Sequence, residues 1–369
     1  MCHVWSRKQR RKQVIKMSDK KQKLSKEEGA GAHERVDPDD FVSTSTLHPS
    51  LHHPAARAWS EPTLEAKRLM YPLFVRDSKD DKDVKGFEPN KQWGSANGYA
   101  SLIAHLQHLQ SLGLTSCMLF GVVNDKDEIG KLADHPETPV IAALKSIRQA
   151  LPDMFVSVDV CLCEYTSHGH CGLLKLDDKD GAAVIDNSAT LTRLAAVAVE
   201  YAKAGAHMVC PSDMMDGRVH KIKQALEANG FQHVMIMAYT SKKASTFYAP
   251  FRQAVDSTFT GNRKRYQHPV GSTSHALRAF ERDLSEGADV VIVKPSLFYG
   301  DIISAFAETR SVPVAAYIVS GEYVMLKGYG ERTGDMRSVI EESHLSLIRA
   351  GASILITYFA PEILSYLKA

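Results

Sequence analysis

Nothing in this chain is written for a membrane: no run approaches the eighteen apolar residues that a spanning helix needs. No apolar h-region follows the basic N-terminal residues, so the sequence predicts no secretory leader. Charge of either sign is not in excess. The balance of 45 basic against 43 acidic residues leaves a net +2, which argues against a general nucleic-acid binder. A Gly-x-Gly-x-x-Gly after a first strand is missing, and with it the usual mark of a dinucleotide fold. Cysteine is scarce, six in 369 residues, and three of the six crowd into eleven positions. That clustering suits a metal in a reducing, cytoplasmic setting better than a disulfide framework.

What is present from about residue 64 onward is an alternation of short apolar runs with longer amphipathic ones. Met70–Val75, Cys117–Val122, Phe155–Leu162, His207–Pro211, Val234–Tyr239, Val290–Lys294, Val314–Val319 and Ile354–Phe359 are rich in aliphatic residues with little alternation. Parallel strands covered on both faces have this pattern. Helical stretches at 191–204, 276–286 and 338–350 each close on a glycine (Gly205, Gly287, Gly351) that leads into the next strand. Eight such strands predict an α/β fold of the closed TIM (β/α)8 barrel type, with an open doubly wound sheet as the competing architecture. The remainder divides into a basic and polar tail over 1–40, expected to be disordered, and an arm over 41–63. Met17 offers a second candidate start. Two X-Pro steps in 47–54 predict an extended arm, laid on a neighbouring subunit.

In a parallel barrel the reactive side chains come from the C-terminal strand ends. Asp159, Ser212, Lys242, Lys294, Ser320 and Tyr358 all fall there. Lys294 ends the run Val290-Val291-Ile292-Val293 and precedes Pro295, and Lys242 stands just past the fifth run. Burial and a second nearby cation both lower an amine pKa, so two lysines at one barrel mouth point to nucleophilic amines. Lys243 should face away from Lys242 if the strand continues. The densest ligand cluster is Asp159-Val-Cys161-Leu-Cys163-Glu-Tyr-Thr-Ser-His168-Gly-His170-Cys171-Gly172. Three thiolates can hold zinc and leave its fourth position open, as catalytic sites do; His168 and His170 are alternative ligands. Arg252 and Arg263, with Lys264 and Arg265, follow the fifth strand and suit carboxylates. Gly261, Pro269 and Gly271 bracket a polar stretch that reads as a lid.

These residues resemble the porphobilinogen synthase (5-aminolevulinate dehydratase) family, in its zinc-dependent, fungal-like branch. The likeness is carried by Asp159 to Gly172, Pro211-Ser-Asp-Met-Met-Asp-Gly-Arg218, Tyr239-Thr-Ser-Lys242, Phe247-Tyr-Ala-Pro-Phe-Arg252, Val293-Lys-Pro295, Val319-Ser-Gly-Glu-Tyr323 and Ile356-Thr-Tyr358, and it spans roughly residues 45 to 369. It implies a lyase of haem biosynthesis that condenses two 5-aminolevulinate molecules, assembled as a homo-octamer. Lys294 and Lys242 would each form a Schiff base, and zinc on Cys161, Cys163 and Cys171 would polarise the second substrate. Arg252, Arg263 and Gln267 would hold that substrate's carboxylate, Ser320 and Tyr358 the other. Asp159 and Ser212 would lie near the first amine. The chain departs from the family pattern at Ala238, Thr240, Lys243, Gln253, Cys210 and in the stretch His268 to His275. Ala279 replaces an acid of magnesium-stimulated members, which implies no allosteric magnesium. The alternatives are a Schiff-base aldolase on the same barrel, with one lysine and no thiolate metal, or a drifted paralogue. Such a paralogue would have weak or inhibitor-tolerant activity, in a side pathway or as a regulatory subunit.

Overall fold

The computed structural model describes residues 48–177 and 181–368. The 1–40 tail, and residues 41–47 of the arm, lie outside the described residues. The described residues from Glu61 onward form one compact unit, and those up to Ser60 belong to another.

Eight parallel strands build the larger unit: β1 Leu69–Arg76, β2 Ser116–Val122, β3 Phe155–Val160, β4 Met208–Pro211, β5 Met235–Lys242, β6 Val290–Lys294, β7 Val314–Tyr317 and β8 Ile354–Ile356. They pair in sequence order, and β8 returns to β1 through Leu69↔Leu355 and Met70↔Ile356. That pairing closes the sheet into a TIM barrel and excludes the open doubly wound alternative. Further along β1, Phe74 and Val75 pair instead with Gln92 and Trp93 of a short added strand, Lys91–Trp93, at the barrel mouth. A separate antiparallel pair, Leu174–Leu176 with Ala183–Ile185, follows the cysteine cluster.

The apolar runs become strands because both of their faces are covered. Val158, Ile236, Val291 and Ala316 are wholly buried, and burying a Val or Ile side chain contributes about 1.5–3 kcal/mol. The helices begin earlier than the apolar periodicity indicates. Their first turns are polar, and Asp186, Ser272 and Asp335 cap the helices Asn187–Lys203, Thr273–Ser285 and Met336–Ala350 by accepting backbone N–H bonds. Gly205, Gly287 and Gly351 follow them with φ of 101°, 100° and 112°, a region that disfavours side chains.

Strand ends also shift. β3 stops at Val160, two residues short of the run read from sequence. The chain turns at once into the cysteine loop, where Tyr165 and Thr166 N–H groups donate to the Leu162 carbonyl at 3.0 and 2.9 Å. β5 runs on to Lys242, because Lys242 pairs across to Lys294 on β6.

The segment expected to be extended is helical instead. His48–His52 and Pro54–Ala58 form two short helices. Proline is tolerated in a first turn, where its missing N–H has no partner in any case, so both prolines start helices rather than prevent them. His53 caps the second by accepting from Ala55 N. No helix among the described residues is long and apolar enough to cross a membrane.

Candidate active site

The C-terminal ends of β3 to β6 converge on a small cavity of about 20 Å³. Asp159, Ser212, Lys242, Lys294, Arg252, Arg263 and Cys163 line it, together with Glu164 and the rings of Phe120, Tyr248 and Phe251. Register explains the convergence. Lys242 and Lys294 are direct partners on neighbouring strands, so their side chains leave the same face at the same height. Lys243, one residue on, is bonded elsewhere, to the Ser272 carbonyl.

Lys294 Nζ sits in an aromatic cage. The ring centroid of Tyr317 is 3.9 Å away, Phe251 4.9 Å, Tyr239 5.1 Å, and Phe120 and Tyr248 both 5.8 Å. Ring faces return part of the solvation an ammonium loses, but much less than water does. Burial, with the Lys242 cation in support, pulls the Lys294 pKa down to about 7. Lys242 behaves differently. Burial pulls it down too, but the sulfurs of Cys171, Cys161 and Cys163 and the Asp159 carboxylate outweigh burial and raise it. Lys242 Nζ also donates to the Ser212 carbonyl. A bound cation would cancel part of the sulfur charge and relax this upward pull. Burial raises the Asp159 carboxyl, against the pull of the two lysines, and Ser212 Oγ donates to Asp159 Oδ2 at 2.9 Å.

Cys161, Cys163 and Cys171 are buried, and their three Sγ atoms lie within 4.8 Å of one another. Cys161 and Cys163 Sγ are 3.3 Å apart. Tetrahedral zinc thiolates at about 2.3 Å imply sulfurs roughly 3.8 Å apart, so the cluster fits a cation of that size with small adjustment. Hydrogen bonds from the Cys161 and Cys163 sulfurs hold the Cys171 thiol well below its ordinary value, which favours the thiolate form that a metal takes. A second group, Asp159, Cys161 and Glu164, also has metal-capable atoms within reach of each other. His168 and His170 belong to neither. His168 Nε2 is 3.2 Å from the Glu128 carbonyl, and His170 Nδ1 is 3.1 Å from Tyr266 Oη.

Arg252 and Arg263 both lie over the Phe259 ring, at 5.6 and 4.6 Å. Arg263 donates to the Gly169 carbonyl at 2.8 Å, which ties the 257–272 segment to the cysteine loop. Gly169 has φ +67°, and a Cβ there would meet the Phe259 backbone N at 2.7 Å, so that contact requires glycine. Arg252 Nε, Arg263 Nε and Gln267 Nε2 are buried donors without a hydrogen-bond partner. Gln267, Ser320 and Tyr358 do not line the cavity. Ser320 Oγ accepts from Phe251 N at 2.9 Å, and Tyr358 Oη is 3.1 Å from Tyr317 Oη, so each touches a residue of the aromatic cage.

Sequence reasoning missed that cage and Glu164. Phe120, Tyr239 and Tyr317 read as core residues because they lie inside apolar strands. Glu164 is buried, and burial with the neighbouring Asp159 raises its pKa to about 8. Glu322 was missed as well. It is fully buried, and its carboxylate accepts from Val319 N at 2.8 Å, Leu297 N at 2.9 Å and Ser296 N at 3.4 Å. It therefore clamps the loops that follow Lys294 and precede Ser320. Its available signal was a lone acid two residues after a strand-end serine, which is weak by itself.

Residues 46–366 match the family model of delta-aminolevulinic acid dehydratase. A relative described as delta-aminolevulinic acid dehydratase from the fungus Eremothecium gossypii is 45% identical, over 88% of this chain and 96% of its own. One of the same description from Macaca fascicularis is 44% identical, over 88% and 98%. Among solved structures, delta-aminolevulinic acid dehydratase (porphobilinogen synthase) from Toxoplasma gondii, in complex with the reaction product porphobilinogen, is 34% identical. It superposes with a TM-score of 0.82 over 88% of this chain and 92% of that one.

Proposed function

The chain belongs to the delta-aminolevulinic acid dehydratase family and is a porphobilinogen-forming lyase, and we propose that it works through Schiff bases on Lys294 and Lys242 beside a zinc held by three cysteines. The observation that carries this reading is the pairing of Lys242 with Lys294 at one barrel mouth, in a cavity that Cys163 also lines.

Lys294 is the more reactive amine at neutral pH. With a pKa of about 7, half of it is unprotonated and can attack the ketone carbon of the first 5-aminolevulinate. Water then leaves and an imine remains. The imine is a better electrophile than the ketone, and loss of a proton from the adjacent carbon makes it an enamine nucleophile. Lys242 does the same for the second molecule. Asp159, which accepts from Ser212 and feels the charge of both lysines, would keep an ammonium or take a proton at its Oδ atoms. Cys161, Cys163 and Cys171 would hold the zinc, which when bound supplies a Lewis acid with one open position. The unpartnered donors of Arg252, Arg263 and Gln267 support a carboxylate-binding role, since buried donors are almost always satisfied and a substrate carboxylate would satisfy these. Ser320 and Tyr358 take the other carboxylate in this reading, after a shift of the cage residues they now contact. Holding two substrates in one site contributes the proximity that a bimolecular condensation lacks in water.

The arm is read as an oligomerisation element of a homo-octamer, because Trp59 at 84% exposure and Leu51 at 52% present apolar surface to solvent. Among the described residues, the five cysteines are buried and unbridged, which supports a cytoplasmic setting. The test of the site is borohydride reduction in the presence of 5-aminolevulinate, followed by mapping of the modified lysine. Label on Lys294, lost in Lys294→Ala together with turnover, is the expected outcome. Full turnover by Lys294→Ala would falsify the mechanism.

A further inference from the structure

Lys243 is a buried cation that the reactions above leave without a task. Its side chain is directed away from the substrate cavity, its relative exposure is zero, and its Nζ donates to the backbone carbonyl of Ser272. The Tyr299 ring centroid lies 5.4 Å from Nζ. Burial lowers its pKa and the Asp301 carboxylate opposes that. Ser272 ends the 257–272 segment and caps the helix Thr273–Ser285. The backbone of Lys243 is equally committed. Its N–H donates to the Lys294 carbonyl at 2.9 Å, and its carbonyl accepts from Tyr248 Oη at 2.8 Å. On either side of it, His268 N donates to the Lys242 carbonyl at 3.0 Å and Ala244 N to the His268 carbonyl at 2.9 Å. One residue therefore has bonded contact with the strand of Lys294, with the turn that carries Tyr248, and with the segment that carries Arg263 and Gln267.

We propose that Lys243 is a positioning residue, a cationic latch that seats the 257–272 segment over the barrel mouth and thereby sets the affinity for the second substrate. The argument rests on strength and number. Segment and strand share one isolated bridge, Lys243↔His268, and so only two backbone hydrogen bonds. Elsewhere the segment is fastened by Arg263 to the Gly169 carbonyl, by Tyr266 to His170, by Thr258 Oγ1 to the Thr166 carbonyl and by Phe259 against Gly169. Those contacts all grip residues 258–266, so at the 268–272 end a hydrogen bond from a charged donor is a large share of what keeps the segment seated. Its removal should shift the seated-to-released ratio about tenfold. An apolar side chain at 243 could fill the space but would leave the Ser272 carbonyl to water. The effect on affinity rests on the carboxylate role of Arg263 and Gln267 proposed above; the effect on seating does not.

The experiment compares Lys243→Met, which keeps the stem and removes the donor, with Lys243→Gln, which keeps a neutral donor. Amide hydrogen exchange over residues 262–272 and steady-state kinetics are measured for both and for the parent chain, metal loaded. In the Met variant we expect exchange in the segment to quicken about tenfold and KM for 5-aminolevulinate to rise comparably, with kcat held or raised. The Gln variant should fall between, and if the Met variant does not fold, Gln against the parent makes the same comparison. Unchanged exchange in the segment overturns the latch whatever happens to turnover. So does a fall in kcat at constant KM, the signature of a disturbed Lys294 instead of a loosened segment. Quickened exchange with constant KM leaves the latch standing and counts against the carboxylate roles of Arg263 and Gln267.

Discussion

The titration of Lys294 is the most exposed consequence of this site, because its value follows from burial in a place where nothing on the chain fully pairs the amine. A lysine with its ordinary pKa of 10.5 is neutral at pH 7 to only about 0.03%. At a pKa of about 7 the neutral share is roughly half, a gain of about a thousandfold in attacking amine. The shift is equivalent to roughly 5 kcal/mol between the two protonation states. The perturbation is Lys242→Met, which removes the second cation and keeps the volume. The assay is the initial rate of borohydride trapping of 5-aminolevulinate on Lys294 between pH 5 and 10. In the parent chain the rate should be half-maximal near pH 7 and fall about tenfold per pH unit below that. In Lys242→Met the midpoint should move upward, since a repelling charge is gone while burial and Asp159 remain. A parent midpoint near 10, or a downward move in the variant, would refute the reasoning. Stability carries the same signature with a definite sign. The folded pKa lies below the unfolded one, so the unfolded chain binds the extra proton between pH 7 and 10.5 and stability rises with pH across that window. The cost is fully present below pH 7, so Lys294→Met should raise the melting temperature there, with the gain gone above 10.5.

Chelation should abolish turnover and added zinc restore it; activity indifferent to chelator would remove the metal from the mechanism. With metal removed, thiol alkylation should reach Cys171, whose thiol is held low, before Cys117 or Cys210, whose thiols burial raises, Cys117 to about 12. Labelling of Cys117 first, followed by peptide mapping, would contradict that order. Arg218 is fully buried between Asp213 and Asp283 and donates to the Tyr239 carbonyl at 3.1 Å. Arg218→Met leaves the buried Asp213 carboxylate without its cation, while Asp283 keeps Arg282 and Thr240, and should cost about 3–5 kcal/mol in chemical denaturation; a loss under 1 kcal/mol would mean Asp213 finds another partner. Gly169→Ala should disturb the contact between the cysteine loop and Phe259, raising KM and lowering the melting temperature together.

The barrel was legible because its signals are local. Continuous aliphatic runs, polar caps and closing glycines each follow from the physics of a few adjacent residues, and a parallel strand with both faces covered has a pattern that few other elements share. The three cysteines and the two strand-end lysines were legible for the same reason, since spacing and unusual placement stand out within a dozen positions. The arm was misread because an X-Pro step disfavours helix only for the residue before it, whereas Pro49 and Pro54 each stand in a first turn. The aromatic cage, the depressed Lys294, the buried Glu164 and Glu322 and the Ser272 contact of Lys243 had no such signature. Each depends on which strand lies beside which, and on how much water closure of the sheet expels. By itself the sequence determined the elements and the candidate reactive groups, through hydrophobic period and residue chemistry. Only the tertiary structure decided how reactive those groups are, because a pKa depends on distance and desolvation, and neither exists until the chain has folded.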